Sequence, residues 1–134
     1  MKTKRQNHGC VLIEDSGTKV IYVAGGEDGR GRGKINSIET LKLTNGNVAQ
    51  NEWKLETIVL PLPLASFQMV KSNDANLLLY VVGGTTAYRG RRNTQNKIYA
   101  LTKKKAFKEV GSLKTKRFLH QTLNVPLSQL KGCQ

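Results

Sequence analysis

Ile21-Tyr22-Val23-Ala24-Gly25-Gly26 returns as Leu79-Tyr80-Val81-Val82-Gly83-Gly84, an offset of 58 residues. A β-branched and aromatic run stopped by a double glycine reads as a strand ending in a turn, because glycine reaches backbone conformations closed to residues with a Cβ. A second, independent echo spans a longer distance. Lys2-Thr3-Lys4-Arg5 followed by His8 returns as Lys114-Thr115-Lys116-Arg117 followed by His120, an offset of 112, close to twice the first. Both signals agree on a repeat of about 50–60 residues, the mark of a tandem architecture.

Within one repeat the pattern is all β. Cys10 to Ile13 is a short apolar run ended by Glu14-Asp15-Ser16-Gly17, and Val20 to Ala24 is the second strand. Ile38 to Leu43 is the third, followed by the turn signal Asn45-Gly46. Trp53, Leu55, Thr57 and Val59 alternate with Lys54 and Glu56, which predicts a half-buried fourth strand with the first set inward. The second copy offers Phe67 to Val70, Leu77 to Val82, Ile98 to Leu101 and Phe107 to Val110, and Leu119 to Val125 predicts the first strand of a third. No segment shows helical periodicity. The predicted organisation is copy one over about 1–60, copy two over about 61–112, the start of a third over about 113–126, and a polar tail at 127–134.

Four short strands per copy, with a diglycine closing the second and an aromatic opening the fourth, resemble kelch repeats, whose period is about 50 residues. The matching positions are Arg5 and His8 before the first strand, Gly25-Gly26 and Gly83-Gly84, Tyr99 in a third strand and Trp53 at a fourth. Departures are Leu41 or Leu43 where the family often has Tyr, Phe107 in place of the second Trp, and Leu64-Ala65-Ser66 in place of the second Arg-His lead. The resemblance implies a β-propeller of four-stranded antiparallel blades round a channel, commonly about six or seven of them. It implies a non-catalytic protein-interaction scaffold, since kelch propellers serve as recognition modules of ubiquitin ligases and in actin-associated proteins. The glycines would then be fold residues, as would Trp53 and Phe107, expected to plug the space between adjacent sheets. Two copies and a strand do not close such a ring. The expectation is a fragment of a longer propeller, completed by the rest of it or by self-association.

The chain has 22 Lys and Arg against 9 Asp and Glu, a net charge of +13. That favours acidic partners and says nothing about fold. Both loops between second and third strands carry Arg-Gly-Arg: Arg30 and Arg32 with Lys34 adjoining, and Arg89 and Arg91 with Arg92 adjoining. With Lys2, Lys4, Arg5, Lys114, Lys116 and Arg117 they make 12 of the 22 basic residues, opposed locally by Glu27 and Asp28. In kelch-type blades these loops and the inter-blade segments emerge on the same end. The expectation is a cationic face for an acidic protein segment, the guanidinium fork matching carboxylates. The alternative is nucleic acid or another polyanion on the same loops, for which Tyr88 is the only aromatic available for stacking.

No apolar run is long enough to span a bilayer, and the first residues lack a secretory profile. The two cysteines, Cys10 and Cys133, form no CxxC motif and favour a reducing, cytoplasmic setting. His8, Cys10, His120 and Cys133 lack the paired spacing of a zinc site, so the expectation is no metal, a buried thiol and histidines bonded to backbone. No nucleophile–base motif stands out, and neither catalysis nor a cofactor is expected.

Overall fold

The structure, a computed structural model, describes residues 1–29, 33–44, 47–48, 52–86 and 93–122. It is all-β, with no helix among the described residues. The first sheet comprises β1 (Gly9–Asp15), β2 (Thr18–Ala24), β3 (Ser37–Thr44), β4 (Asn47–Val48) and β5 (Lys54–Val59). The two-residue β4 and the longer β5 share one edge of β3, pairing at Leu43–Thr44 and Ser37–Thr40 respectively, so the sheet is four strands wide. The second comprises β6 (Gln68–Lys71), β7 (Leu77–Val82), β8 (Lys97–Thr102) and β9 (Phe107–Ser112) in that order. Every pairing is antiparallel. Residues 119–122, where a further strand was expected, are not in one, and the remainder of that stretch lies outside the described residues.

The two sheets are built alike down to single hydrogen bonds. Gly25 N–H donates to the Ser37 carbonyl at 3.1 Å, and Gly83 N–H donates to that of Lys97 at 3.1 Å. Leu60 N–H donates to the Asn36 carbonyl, as Leu113 N–H does to that of Asn96. These pairs make Ser37 equivalent to Lys97, Glu39 to Tyr99 and Leu60 to Leu113. The segments leading into each copy are equivalent too. Ser66 N–H donates to the Asn7 carbonyl and Leu119 N–H to that of Ser66, and all three residues hold positive φ, 54°, 55° and 50°. Arg5, Leu64 and Arg117 therefore occupy one position in three leads, and His8, Phe67 and His120 another.

The sheets pack face to face. Side chains alternate across a strand, so β1 and β2 turn Ile13, Tyr22 and Ala24 inward, where they join Ile38 of β3. Met69, Leu79, Val81 and Leu101 of the second sheet meet them, with Leu60, Leu64 and Phe67 of the connecting segment between. Phe107 packs against this core, whereas Trp53 is half-buried and stands outside it.

The fourth strand corrects the expected alternation. Leu55 and Val59 are 51% and 45% exposed, while Glu56 and Ile58 are the more covered residues. Glu56 turns inward because Thr40 Oγ1 donates to its carboxylate at 2.6 Å. Burial works to raise its pKa, but that bond and Lys54 outweigh it and hold the carboxyl below its ordinary value.

The diglycines are where copies interlock. A Cβ on Gly25, at φ 63°, would come 2.5 Å from the Leu64 carbonyl oxygen, and one on Gly26 would come 2.6 Å from that of Gln6. Gly83 and Gly84 repeat this against the Arg117 and Ala65 carbonyls at 2.6 and 3.0 Å. The first glycine of each pair is thus covered by the lead of the following copy and the second by the lead of its own.

Candidate interaction surface

Beyond each diglycine the chain leaves the sheet and returns through a short paired stem. Glu27 bridges both Gln6 and Lys34, and Thr85 bridges both Ala65 and Thr94. Ile35 N–H donates to the Gly26 carbonyl and Gln95 N–H to that of Gly84, both at 2.8 Å. The two stems and the lead segments beside them occupy the same end of their sheets. Arg30, Arg32, Arg89, Arg91 and Arg92 fall between the stem residues in sequence and lie outside the described residues.

Lys34 belongs to the stem itself. Its Nζ sits 2.6 Å from a Glu27 carboxylate oxygen, with the lysine side chain 12% exposed. That hydrogen bond, with a second from Asn7 Nδ2 at 2.8 Å, holds Glu27 below the ordinary carboxylate range. Lys2, Lys4, Lys114, Lys116 and Arg117 of the leads are exposed beside the stems.

Arg5 serves the fold. Its side chain and that of Glu39 are both fully buried, 2.7 Å apart. Arg5 also donates to the Gly25 and Ser37 carbonyls at 2.8 and 3.1 Å and to Ser37 Oγ at 3.1 Å. Lys2 and Thr3 N–H groups donate to the same carboxylate at 2.6 and 3.0 Å. Burial alone would raise the pKa of Glu39, but the Lys2 N–H, the Arg5 guanidinium and the Thr3 N–H bring it from 4.5 to about 2. The lead is thereby strapped over the outer face of the first sheet. In the second sheet the equivalent pair is Leu64 and Tyr99, both in or against the apolar core. Tyr99 has its phenol pushed above its ordinary pKa by burial and by Glu109.

On the edge of the molecule where the leads hydrogen-bond one another, a cavity of about 220 Å3 is lined by Asn7, His8, Ser66, Phe67, Leu119 and His120, among others. His8 Nδ1 and both ring nitrogens of His120 are buried without a hydrogen-bond partner among the described residues, contrary to the expected backbone bonding. Burial, with Arg117 nearby, lowers the His120 pKa, so the neutral ring is favoured. Cys10 is exposed on β1 rather than buried, because even-numbered residues of that strand face away from the second sheet. Cys133 lies outside the described residues, among which no cluster of His, Cys, Asp and Glu could hold a metal.

At the opposite end a cleft of about 300 Å3 runs between the sheets, lined by Ile13, Glu14, Lys71, Asp74, Leu78 and Lys103, among others. Beside it Lys105 donates to the Tyr22 hydroxyl and lies 4.9 Å from the centre of that ring, tying the β8–β9 turn of one sheet to β2 of the other. Sequence reasoning missed both this contact and Glu39. The only signal for Glu39 was an acidic residue standing where the second copy has Tyr99.

No helix of the described residues is long and apolar enough to cross a membrane. No family model and no curated protein matches the chain.

Proposed function

We propose that the two sheets are successive blades of a kelch-type β-propeller, and that the chain is a non-catalytic scaffold offering a cationic end to an acidic protein segment. What supports the blade reading is the equivalence of the two sheets, with each diglycine covered by the leads of two successive copies. What carries the functional reading is one juxtaposition. The exposed cations of the leads, Lys2, Lys4, Lys114, Lys116 and Arg117, flank two stems whose intervening sequence contains Arg-Gly-Arg. Carboxylates match such guanidinium groups in bidentate geometry. Arg5 and Lys34 belong to the framework, since Glu39 and Glu27 already hold them.

The test is titration of a labelled polyglutamate peptide and a homopolymeric RNA against the chain over a salt series. Arg30→Glu, Arg32→Glu, Arg89→Glu and Arg91→Glu combined should weaken peptide binding at least about tenfold, roughly 1.4 kcal/mol. Peptide binding that is unchanged by the four reversals removes the cationic-face reading. Tighter RNA binding with the steeper salt slope of phosphate neutralisation replaces the protein partner with a polyanion.

A further inference from the structure

Each sheet has one face that the other sheet covers and one free of it, and these free faces are opposite in kind. On the first sheet the strap lies over part of that face, where Val23, Glu39 and Leu41 are 3%, 0% and 6% exposed. Tyr22 and Ile38, on the inward face of the first sheet, are 4% and 1% exposed. Their equivalents Tyr80 and Ile98 point away from the first sheet and are half-exposed. Leu60 is 1% exposed between the sheets, whereas its equivalent Leu113 is half-exposed. In the other direction, Met69 and Leu79 are 7% and 0% exposed against the first sheet. Their equivalents Cys10 and Ile21 lie on its outer face, beside Leu12 and Leu55 at 48% and 51% exposed. The two free faces are thus the two halves of the joint already formed within the chain.

We propose that the outer face of the second sheet receives the outer face of the first sheet of a second copy, head to tail, by the packing that joins the two sheets inside one copy. The joint inside one copy supplies the template for this packing, whatever the recognition role of the cationic end. The leads meet at the new joint. Residues 113–120 of one copy already lie on its second sheet, where Gly84 N–H donates to the Arg117 carbonyl at 3.0 Å. The incoming copy brings residues 1–8 to the same place. Both leads carry Lys-Thr-Lys-Arg and the following histidine, so Lys114–Arg117 takes over the incoming Glu39 and the incoming copy's own strap is released. A joint between two different faces propagates, closing into a ring or running on as an open chain. The charge of +13 per copy opposes it, so association strengthens as salt screens the repulsion.

Sedimentation velocity with light scattering, at low and high salt across micromolar concentrations, reads this directly. The wild type should form species larger than a monomer, one discrete size for a closed ring or a growing series for an open chain, more so at high salt. Leu12→Arg with Leu55→Arg on one free face, and Tyr80→Arg with Ile98→Arg on the other, should each leave a folded monomer. Mixed one to one, they should form a heterodimer, because each retains the face that the other lacks. Circular dichroism and melting verify that each variant folds. Lys108→Glu, at an exposed position paired with Ala100 on the second free face, replaces the second variant if that one is destabilised. A wild type that stays monomeric at high salt overturns the proposal. So does association that either variant retains, or a mixture of folded variants without heterodimer.

Discussion

Replacing Glu39 by Gln keeps the shape of the side chain and removes the charge that Arg5 faces. Both groups are 0% exposed and 2.7 Å apart, so the variant leaves a guanidinium buried without its counter-charge. Breaking one side of such a pair costs about 3–5 kcal/mol. The bonds from Lys2 and Thr3 N–H, 2.6 and 3.0 Å in the wild type, weaken further when the acceptor becomes a neutral amide. Against a total stability of about 5–15 kcal/mol for a domain this size, the loss is roughly a fifth or more. Urea unfolding followed by the fluorescence of Trp53, the only tryptophan, measures it as a fall in midpoint at unchanged slope. The second sheet supplies the control, because its equivalent positions hold Leu64 and Tyr99. Arg5→Leu combined with Glu39→Tyr should recover at least half of the loss, since apolar replacement of a buried ion pair is often neutral or better. The pH dependence gives an independent reading. The folded pKa of Glu39, about 2, lies below its ordinary 4.5. Its contribution, about 3 kcal/mol at 1.36 per pH unit, is present above pH 4.5 and drains away as pH falls toward 2. Glu39→Gln should flatten the stability curve in that window. A Glu39→Gln loss under about 1 kcal/mol, or an acid limb identical to wild type, would mean that the Arg5–Glu39 pair does not hold the fold.

Gly25→Ala should cost well over the roughly 1–2 kcal/mol of a left-handed residue, because its Cβ meets a backbone carbonyl at 2.5 Å; Gly17→Ala, at φ 77° with nothing within 4 Å, should cost only that strain. Thermal melts of the two side by side decide the matter, and equal losses would mean that the lead does not cover Gly25. On β5, Ile58→Lys should destabilise by about 2 kcal/mol or more through lost burial, while Leu55→Lys should lie within about 0.5 kcal/mol as an exposed substitution. The reverse order would restore the inward set read from the sequence. In a chain kept monomeric by Tyr80→Arg and Ile98→Arg and carrying Cys133→Ser, Cys10 should alkylate fully in the folded state, at rates that climb with pH beyond the ordinary thiol range, because partial burial raises its pKa. Protection until unfolding would place Cys10 inside.

The strands and the repeat were legible because both are local. A β-branched run and a diglycine are read within six residues, and β7 coincides with the expected Leu77 to Val82. The side of a strand that is covered is a tertiary fact, and period two cannot supply it. Leu55 and Val59 satisfied the alternation as well as Glu56 and Ile58 did, and only the Thr40 hydrogen bond to Glu56 shows which set turns inward. The Arg5–Glu39 pair was hidden for another reason, since its partners are 34 residues apart and the second copy performs the same task with Leu64 and Tyr99. A repeat of sequence therefore does not require a repeat of chemistry. One position holds its lead by charge, the equivalent one by apolar packing, and the backbone is the same in both. The second Lys-Thr-Lys-Arg restores the charged version at Arg117, which among the described residues is exposed. An arginine that copies Arg5 down to its three preceding residues calls for a carboxylate like Glu39 on the next sheet outward. The first sheet of another copy carries one.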